Sequence, residues 1–281
     1  MQIIQNLIEI ADRFDAIVLD QWGVLHDGTR PYLHAINTLE TLHAKGIRLA
    51  VLSNSGKRSD PNAARIAAMG FPTHLFEQVM TSGEALYRDI AQGQLPYRTI
   101  CPITRDTGDA ENWSDGLGLT LTDDVEAADA ILLMGLPDSA PTDAYQRTLA
   151  HAKKRNVPVL CTNPDRASPR AGGAIVVSPG ALAHDHLVSG GDVRFYGKPH
   201  LPVFRAIETV LGVAPDRLLM VGDSLEHDIA GGAAAGWSTA FIRGGLHAHA
   251  FTQETGIAQA ISDLARRDAA PLPTFTLAYL E

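Results

Sequence analysis

Ala16-Ile17-Val18-Leu19-Asp20-Gln21-Trp22-Gly23-Val24-Leu25-His26-Asp27-Gly28 is an apolar run that stops on a carboxylate and then turns on glycine. Four apolar residues without polar alternation fit a strand buried on both faces, as in a parallel sheet covered by helices on each side. The same grammar recurs along the chain. Leu33–Lys45 has helical spacing and stops at Gly46, and Arg48–Leu52 is a second apolar run ending at Ser53. Asp60–Met69 carries Pro61 in its first turn and Gly70 after its end, the expected start and stop chemistry of a helix.

Toward the C-terminus, Phe195–Tyr196 leads into Gly197-Lys198-Pro199, and His200–Leu211 reads as a helix. Arg217–Val221 predicts a strand ending at Gly222-Asp223, His227–Ala235 a helix closed by Gly236, and Ser238–Ile242 a further strand. The middle has its own rhythm: helices over Gly83–Ile90 and Thr142–Arg155, and strands over Thr99–Pro102, Ala130–Met134 and Pro158–Cys161. These alternations predict an α/β fold with a Rossmann-like parallel-sheet core made of residues 1–78 and 189–281. A second α/β domain is expected as an insert over 79–188. Ligands bind at the carboxyl ends of open parallel sheets, which puts Asp20, Ser53 and Asp223 on one functional edge. Lys198 comes after a weaker strand pattern.

Bulk properties narrow the chemistry. The 281 residues carry a net charge of −9, so the chain lacks the basic stripe of a nucleic-acid binder. An anionic substrate would then need local cations to hold it. Cys101 and Cys161 are distant and fit no CxxC pattern, so neither a disulfide framework nor a zinc site is predicted. The N-terminal stretch MQIIQNLIEIADRF has helical spacing with Glu9, Asp12 and Arg13, and reads as an amphipathic helix, not a signal peptide. The longest apolar runs are too short to span a bilayer. No membrane association is predicted, and the expected compartment is the cytoplasm.

Taken singly, an Asp at a strand end is an ordinary turn or cap residue, and Ser53-Asn54 an ordinary helix entry. Together and in order they resemble the four motifs of the haloacid dehalogenase superfamily of phosphohydrolases. Val18-Leu19-Asp20-Gln21-Trp22-Gly23 resembles the first, Leu52-Ser53-Asn54 the second, Gly197-Lys198-Pro199 the third, and Gly222-Asp223-Ser224-Leu225-Glu226-His227-Asp228 the fourth. Asn163-Pro164-Asp165 and the late Gly236-Trp237-Ser238 stretch are similar to class IIA members, the sugar-phosphate and nucleotide phosphatases whose cap domain lies between the second and third motifs. The resemblance implies a Mg²⁺-dependent hydrolase of small phosphorylated metabolites, with 79–188 as the cap. Asp20 fits an aspartyl-phosphate-forming nucleophile, and Lys198 a cation that offsets the carboxylates and the phosphate. Ser53 and Asn54 would bind phosphate, and Asn163 and Asp165 would contact substrate. Asp20, the Trp22 backbone carbonyl and Asp223 would hold Mg²⁺, with Asp228 acting through a water. Arg166 or Arg170 is a candidate for a substrate carboxylate or second phosphate, and a homodimer through the cap is implied by the same resemblance.

One position departs from the pattern. Family phosphatases carry a second Asp two residues after the nucleophile, as general acid and base, and here Trp22 stands there. Indole has no titratable proton, so it can serve as neither acid nor base. Three explanations compete: another acid such as Asp27 or Asp165, a substrate whose leaving group needs no proton, or a phosphometabolite-binding protein with little turnover. A metal-independent dehalogenase would also dispense with the second Asp, but the acidic fourth motif argues against it. The pairs His184/His186 and His247/His249 lack a suitably spaced third ligand and read as surface or capping residues. Gly191–Lys198 has the wrong spacing for a P-loop.

Overall fold

A computed structural model of the chain describes residues 1–138, 141–169, 175–251 and 256–280. Its first elements are β1 (Gln2–Ile3), β2 (Ala16–Leu19), α1 (Ala35–Ala44), β3 (Arg48–Ser53), α2 (Ser59–Ala68), β4 (Gln78–Thr81) and α3 (Ser82–Ala91). Next come β5 (Thr99–Ile103), α4 (Asp109–Ser114), β6 (Thr120–Leu121), β7 (Ala130–Leu133), α5 (Asp143–Arg155), β8 (Val159–Cys161), β9 (Ala167–Pro169) and β10 (Ile175–Val177). The last are α6 (Pro179–Val188), β11 (Val193–Phe195), α7 (Leu201–Leu211), β12 (Leu218–Gly222), α8 (Ala230–Ala235), β13 (Ser238–Ile242), α9 (Ile257–Arg267) and β14 (Phe275–Leu277).

The chain divides into two compact units. One comprises Met1–Ser53, Ala63–Met80 and Lys198–Glu281; the other comprises Asn54–Asn62 and Thr81–Gly197. The first holds a seven-stranded sheet in the order β1-β14-β13-β12-β2-β3-β4. From β1 through β3 each neighbouring pair runs parallel. In β13, Ala240 and Ile242 join one apolar cluster with Ile17, Leu19 and Val221, while Phe241 joins another with Leu225, Ile229 and Ile261. Both faces of this sheet are therefore covered, which explains the unbroken apolar runs of the sequence. The second unit holds a five-stranded sheet, β11-β8-β7-β5-β6, with every neighbouring pair parallel. Its core gathers Ile131, Leu133, Val159 and Cys161 with Leu149 and Leu182 from the helices.

Several expectations change. The N-terminal stretch is not one helix: Gln2–Ile3 pairs with Phe275–Thr276, and two short 3-10 turns come after it at Leu7–Glu9 and Ala11–Arg13. An edge position beside β14 outweighs the helical spacing, and Asn6 with Glu9 forms a reciprocal cap that starts a new turn there. The strand read at Phe195–Tyr196 is Val193–Phe195, and it pairs with Val159–Cys161 in the smaller sheet. The expected insert boundary at 188 thus falls short of Gly197, where the second unit ends.

The segment Asn54–Asn62 also groups with the smaller sheet and not with β3, from which it emerges. Its anchor is the buried carboxylate of Glu84, which accepts from Arg58 Nε at 2.6 Å and from Arg88 Nε at 3.0 Å. Thr81 Oγ1 donates to the Lys57 carbonyl at 2.6 Å, and the Gly83 N–H to the Ser55 carbonyl at 3.1 Å. Among the described residues no helix is long and apolar enough to cross a membrane.

Candidate active site

Because β2, β3 and β12 are parallel neighbours, their carboxyl ends lie on one edge. Asp20 directly succeeds β2, Ser53 closes β3, and Asp223 directly succeeds β12. The segment after β12 is not the ordinary helix start expected at His227. Leu225–Ile229 is a single widened π-type turn that runs into α8. Ser224 caps it, its Oγ accepting from the His227 N–H at 3.2 Å. Such turns recur at functional sites because they redirect one side chain, and here that side chain is Asp228.

Asp20, Asp223 and Asp228 each offer a carboxylate oxygen within 4.8 Å of the others. Among the described residues this is the one such cluster of three or more acidic, His or Cys side chains. Lys198 Nζ donates to Asp20 Oδ1 and to Asp228 Oδ1, both at 2.6 Å. The ammonium is 4% exposed and its Asp228 partner 1%, so neither contact is screened as a surface ion pair would be. The second Asp228 oxygen accepts from the Ser224 N–H at 3.1 Å. Asp228 therefore holds the lysine and closes the loop after β12, a role beyond the water-mediated metal contact expected of it. Asp223 Oδ2 accepts from the Leu246 N–H at 2.7 Å. Two glycines make room for this carboxylate. A Cβ on Gly23, whose φ is +75°, would sit 1.7 Å from Asp223 Oδ2, and one on Gly245 would sit 2.2 Å from it.

Crowding sets the electrostatics. Burial opposes the Lys198 charge, but Asp20 and Asp228 outweigh it and hold its pKa above the ordinary value. Burial raises Asp20, with Lys198 pulling back and Asp228 adding to the rise. Asp223 is pushed well above the usual carboxylate range, first by burial and then by repulsion from Asp20 and Asp228. Three carboxylates share one ammonium, so the cluster holds more acidic groups than cations. The all-oxygen donor set and that imbalance fit a hard divalent cation such as the Mg²⁺ implied by the resemblance, with Asp20 and Asp223 as the carboxylates that would hold it.

The Asp223 shift has a consequence for stability. Its folded-state pKa lies above the unfolded value, so the metal-free folded protein binds more protons and loses stability as pH rises through the raised value. Asp223→Asn is expected to flatten that loss, to melt higher than the parent without metal near neutral pH, and to forfeit most of the Mg²⁺-induced rise in Tm. Calorimetry across about pH 4 to 8, with EDTA or with Mg²⁺, checks this. An unchanged Mg²⁺ response in the variant would exclude Asp223 as a ligand.

Asn54, Asn163 and Asp165 all belong to the second unit. Asn54 Nδ2 donates to Asp165 Oδ1 at 2.7 Å, and the Asp165 N–H to Asn163 Oδ1 at 3.2 Å. Arg166 is exposed, and Arg170 lies outside the described residues. Trp22 is 37% exposed, with its ring packed over Gly28 and edge-on to His26 at 5.9 Å between centroids. The histidine pairs serve packing: His184 stacks on Phe195 at 4.7 Å, and Gly191 lies against the ring of the buried His186. His247 is buried beside Phe241.

Asp27 is corrected as a proton donor. Its Oδ1 accepts from Thr29 Oγ1 at 2.7 Å, the Thr29 N–H at 2.9 Å and the Arg30 N–H at 3.0 Å, while Oδ2 accepts from Arg30 Nε at 3.3 Å. These bonds, the Thr29 side chain's first among them, hold it well below the ordinary carboxylate range. It stays ionised and has no proton to give. Sequence reasoning also missed Gln21 and Arg65, whose side chains meet at 2.7 Å across α2 and the loop after β2.

Comparison with known proteins agrees with this architecture. A family model described as haloacid dehalogenase-like hydrolase matches residues 14–236. Human chronophin is 28% identical over 251 residues, covering 85% of this chain and 84% of chronophin. The crystal structure of a haloacid dehalogenase-like hydrolase from Brucella suis is similar with a TM-score of 0.80 and 29% identity, covering 99% of this chain and all of the other. Glycerol phosphate phosphatase from Mycobacterium tuberculosis, solved in complex with magnesium, is similar with a TM-score of 0.70 and 25% identity, over 85% of this chain and 71% of that one.

Proposed function

We propose that this chain, which belongs to the haloacid dehalogenase-like hydrolases, is a Mg²⁺-dependent phosphatase of small phosphorylated metabolites that works through Asp20. The observation that supports it most is the Asp20 carboxylate, oriented at 2.6 Å by a buried ammonium inside a cluster of three carboxylates. An Asp20 oxygen attacks phosphorus, the bond to the leaving oxygen breaks, and the phosphoryl group rests on Asp20 as an acyl phosphate. Water then attacks the same phosphorus, releases inorganic phosphate and regenerates the carboxylate. Lys198 opposes protonation of Asp20 and aims its carboxylate, and Asp228 keeps Lys198 in place. Ser53, at the same sheet edge, is a donor for the non-bridging oxygens. Mg²⁺, held by Asp20, the Trp22 carbonyl and Asp223, would offset charge on the transferring phosphoryl group. The magnesium complex of the mycobacterial relative supports the choice of ion, and its name supports a small phosphate ester.

The proton for the leaving oxygen has no evident donor on the first-motif loop. Trp22 cannot supply it, and Asp27 is locked in its ionised form. Burial and the Arg65 charge draw His26 down to about 4, so the imidazole is neutral at physiological pH. The reading therefore favours esters whose leaving group needs little protonation. Losing general acid catalysis costs about 10²- to 10⁴-fold for a poor leaving group. A panel of aryl, acyl and alkyl phosphates with Mg²⁺ tests it. Turnover is expected to rise steeply as the leaving-group pKa falls and to vanish with EDTA. Equal rates across the panel, or activity that survives EDTA, would count against the proposal.

A further inference from the structure

We propose that Glu84 is a positioning residue for phosphate binding: acting through Arg58, it fixes the direction in which the chain leaves Ser53, and with it the phosphate donors of that turn. The inference rests on the phosphatase reading above, which makes Ser53 a donor to the non-bridging oxygens, and it adds to that reading a residue from α3. Ser53 closes β3, and no strand or helix holds the chain again until α2 starts at Ser59. Connections of this kind are mobile by default. Donors to a transferring phosphoryl group are not free to wander, since a misplacement of about 1 Å can cost on the order of 10²-fold in rate. The turn after Ser53 therefore needs an anchor.

The start of α3 provides it. Glu84 is 5% exposed. Its Oε2 accepts from Arg58 Nε at 2.6 Å and from the Ser59 N–H at 3.4 Å, and its Oε1 accepts from Arg88 Nε at 3.0 Å. The Arg58 guanidinium also lies 3.2 Å from the centre of the Tyr87 ring, so it is held on a second side. Thr81 Oγ1 accepts from the Glu84 N–H at 2.9 Å and donates to the Lys57 carbonyl at 2.6 Å. The Gly83 N–H donates to the Ser55 carbonyl. Ser55, Lys57, Arg58 and Ser59 are thus each bonded to Thr81–Glu84. The two backbones touch, because a Cβ on Gly83 would sit 1.9 Å from the Gly56 carbonyl oxygen.

Within this clamp Glu84 supplies the charge. Burial opposes its ionisation, but Arg58, the Ser59 N–H and Arg88 outweigh that and hold the carboxyl below its ordinary pKa. A buried carboxylate bonded to guanidinium makes stronger contacts than the neutral bonds around it. Its two arginines have separate consequences. Arg58 belongs to the turn that leaves Ser53, whereas Arg88 is four residues further along α3 and ties the helix only to itself. Removing one or the other distinguishes control of the turn from general support of the fold.

Calorimetric titration of the full chain in Mg²⁺ with inorganic phosphate, alongside kcat and KM for p-nitrophenyl phosphate, tests this. Glu84→Gln is expected to weaken phosphate binding by roughly tenfold, the range of one charge-assisted contact, and to lower kcat/KM by at least that factor. The Mg²⁺-induced rise in Tm should match the parent, because Asp20 and Asp223 are untouched. Arg58→Gln should reproduce the loss, and the double variant should be no worse than either single one, since both break the same link. Arg88→Gln should lower Tm and leave phosphate affinity at the parent value. If Glu84→Gln does not fold, Arg58→Gln carries the test, its side chain being 27% exposed. Parental phosphate affinity in folded Glu84→Gln or Arg58→Gln would overturn the positioning role and leave the phosphatase reading intact, as would an equal loss in Arg88→Gln. A native protein that neither binds phosphate nor turns over the ester would overturn the phosphatase reading and the positioning role with it.

Discussion

Asp20→Asn is expected to reduce hydrolysis of an aryl phosphate such as p-nitrophenyl phosphate by at least about 10⁴-fold, because the proposed route forms its phosphorus–oxygen bond through the Asp20 carboxylate. An amide oxygen carries no full charge and makes a poor attacking group. The substitution also removes the acceptor that takes Lys198 Nζ at 2.6 Å, so the ammonium leans on Asp228 alone. The fold should survive this. Asp228 is 1% exposed and still pairs with the lysine, and burial opposes the Asp20 charge in the native protein. A melting temperature within a few degrees of the parent, beside lost turnover, would separate chemistry from collapse. Acid quenching of the native enzyme during turnover should trap phosphate on Asp20, and none should be trapped in the variant. Retention of more than a few per cent of the native rate would remove Asp20 from the reaction.

Trp22→Asp should act in the opposite direction. It places a titratable group two residues after Asp20, where the motif resemblance implies an acid. For an alkyl ester such as glycerol 3-phosphate, turnover is expected to rise by about 10²- to 10⁴-fold, the usual range for a positioned proton donor. For an aryl ester, whose leaving oxygen departs as a stable anion, the gain should be slight. The contrast between the two substrates is the diagnostic quantity. Some stability will be lost, since the indole covers Gly28 and meets the edge of His26. At 37% exposure Trp22 is no core residue, so the loss should fall well short of the ~3–5 kcal/mol typical of deleting a buried Trp. If alkyl and aryl rates change by the same factor, proton transfer is not what limits this enzyme.

Much of the site is legible in local pattern. Asp20, Ser53 and Asp223 are placed by the ends of the apolar runs before them, and the strands end there. Lys198 is placed by its motif alone, because the run before it is short and belongs to the other sheet. Asp27 is not legible in this way. Nothing in an Asp-Gly-Thr-Arg string reveals that four hydrogen bonds converge on one carboxylate. The N-terminal stretch misleads for a different reason: its apolar spacing suits a helix, yet the edge of a parallel sheet offers unpaired backbone groups that two of its residues take up.

The sequence by itself determined that this is a parallel-sheet α/β protein with acidic groups at the strand tips. A strand buried on both faces must be apolar throughout, and parallel pairing then brings the carboxyl ends to one edge whatever the connecting segments do. The motifs gather Asp20, Lys198, Asp223 and Asp228 at that edge, and the tertiary structure decided which atoms pair and which other side chains join them. Lys198 finds Asp20 across 178 positions and Asp228 across 30, Arg65 finds Gln21 across 44, and Arg58 takes Asn54–Asn62 to Glu84. Long polar side chains have many rotamers of similar energy. Which of them pairs, and through which atoms, is settled by the burial and packing of separate elements.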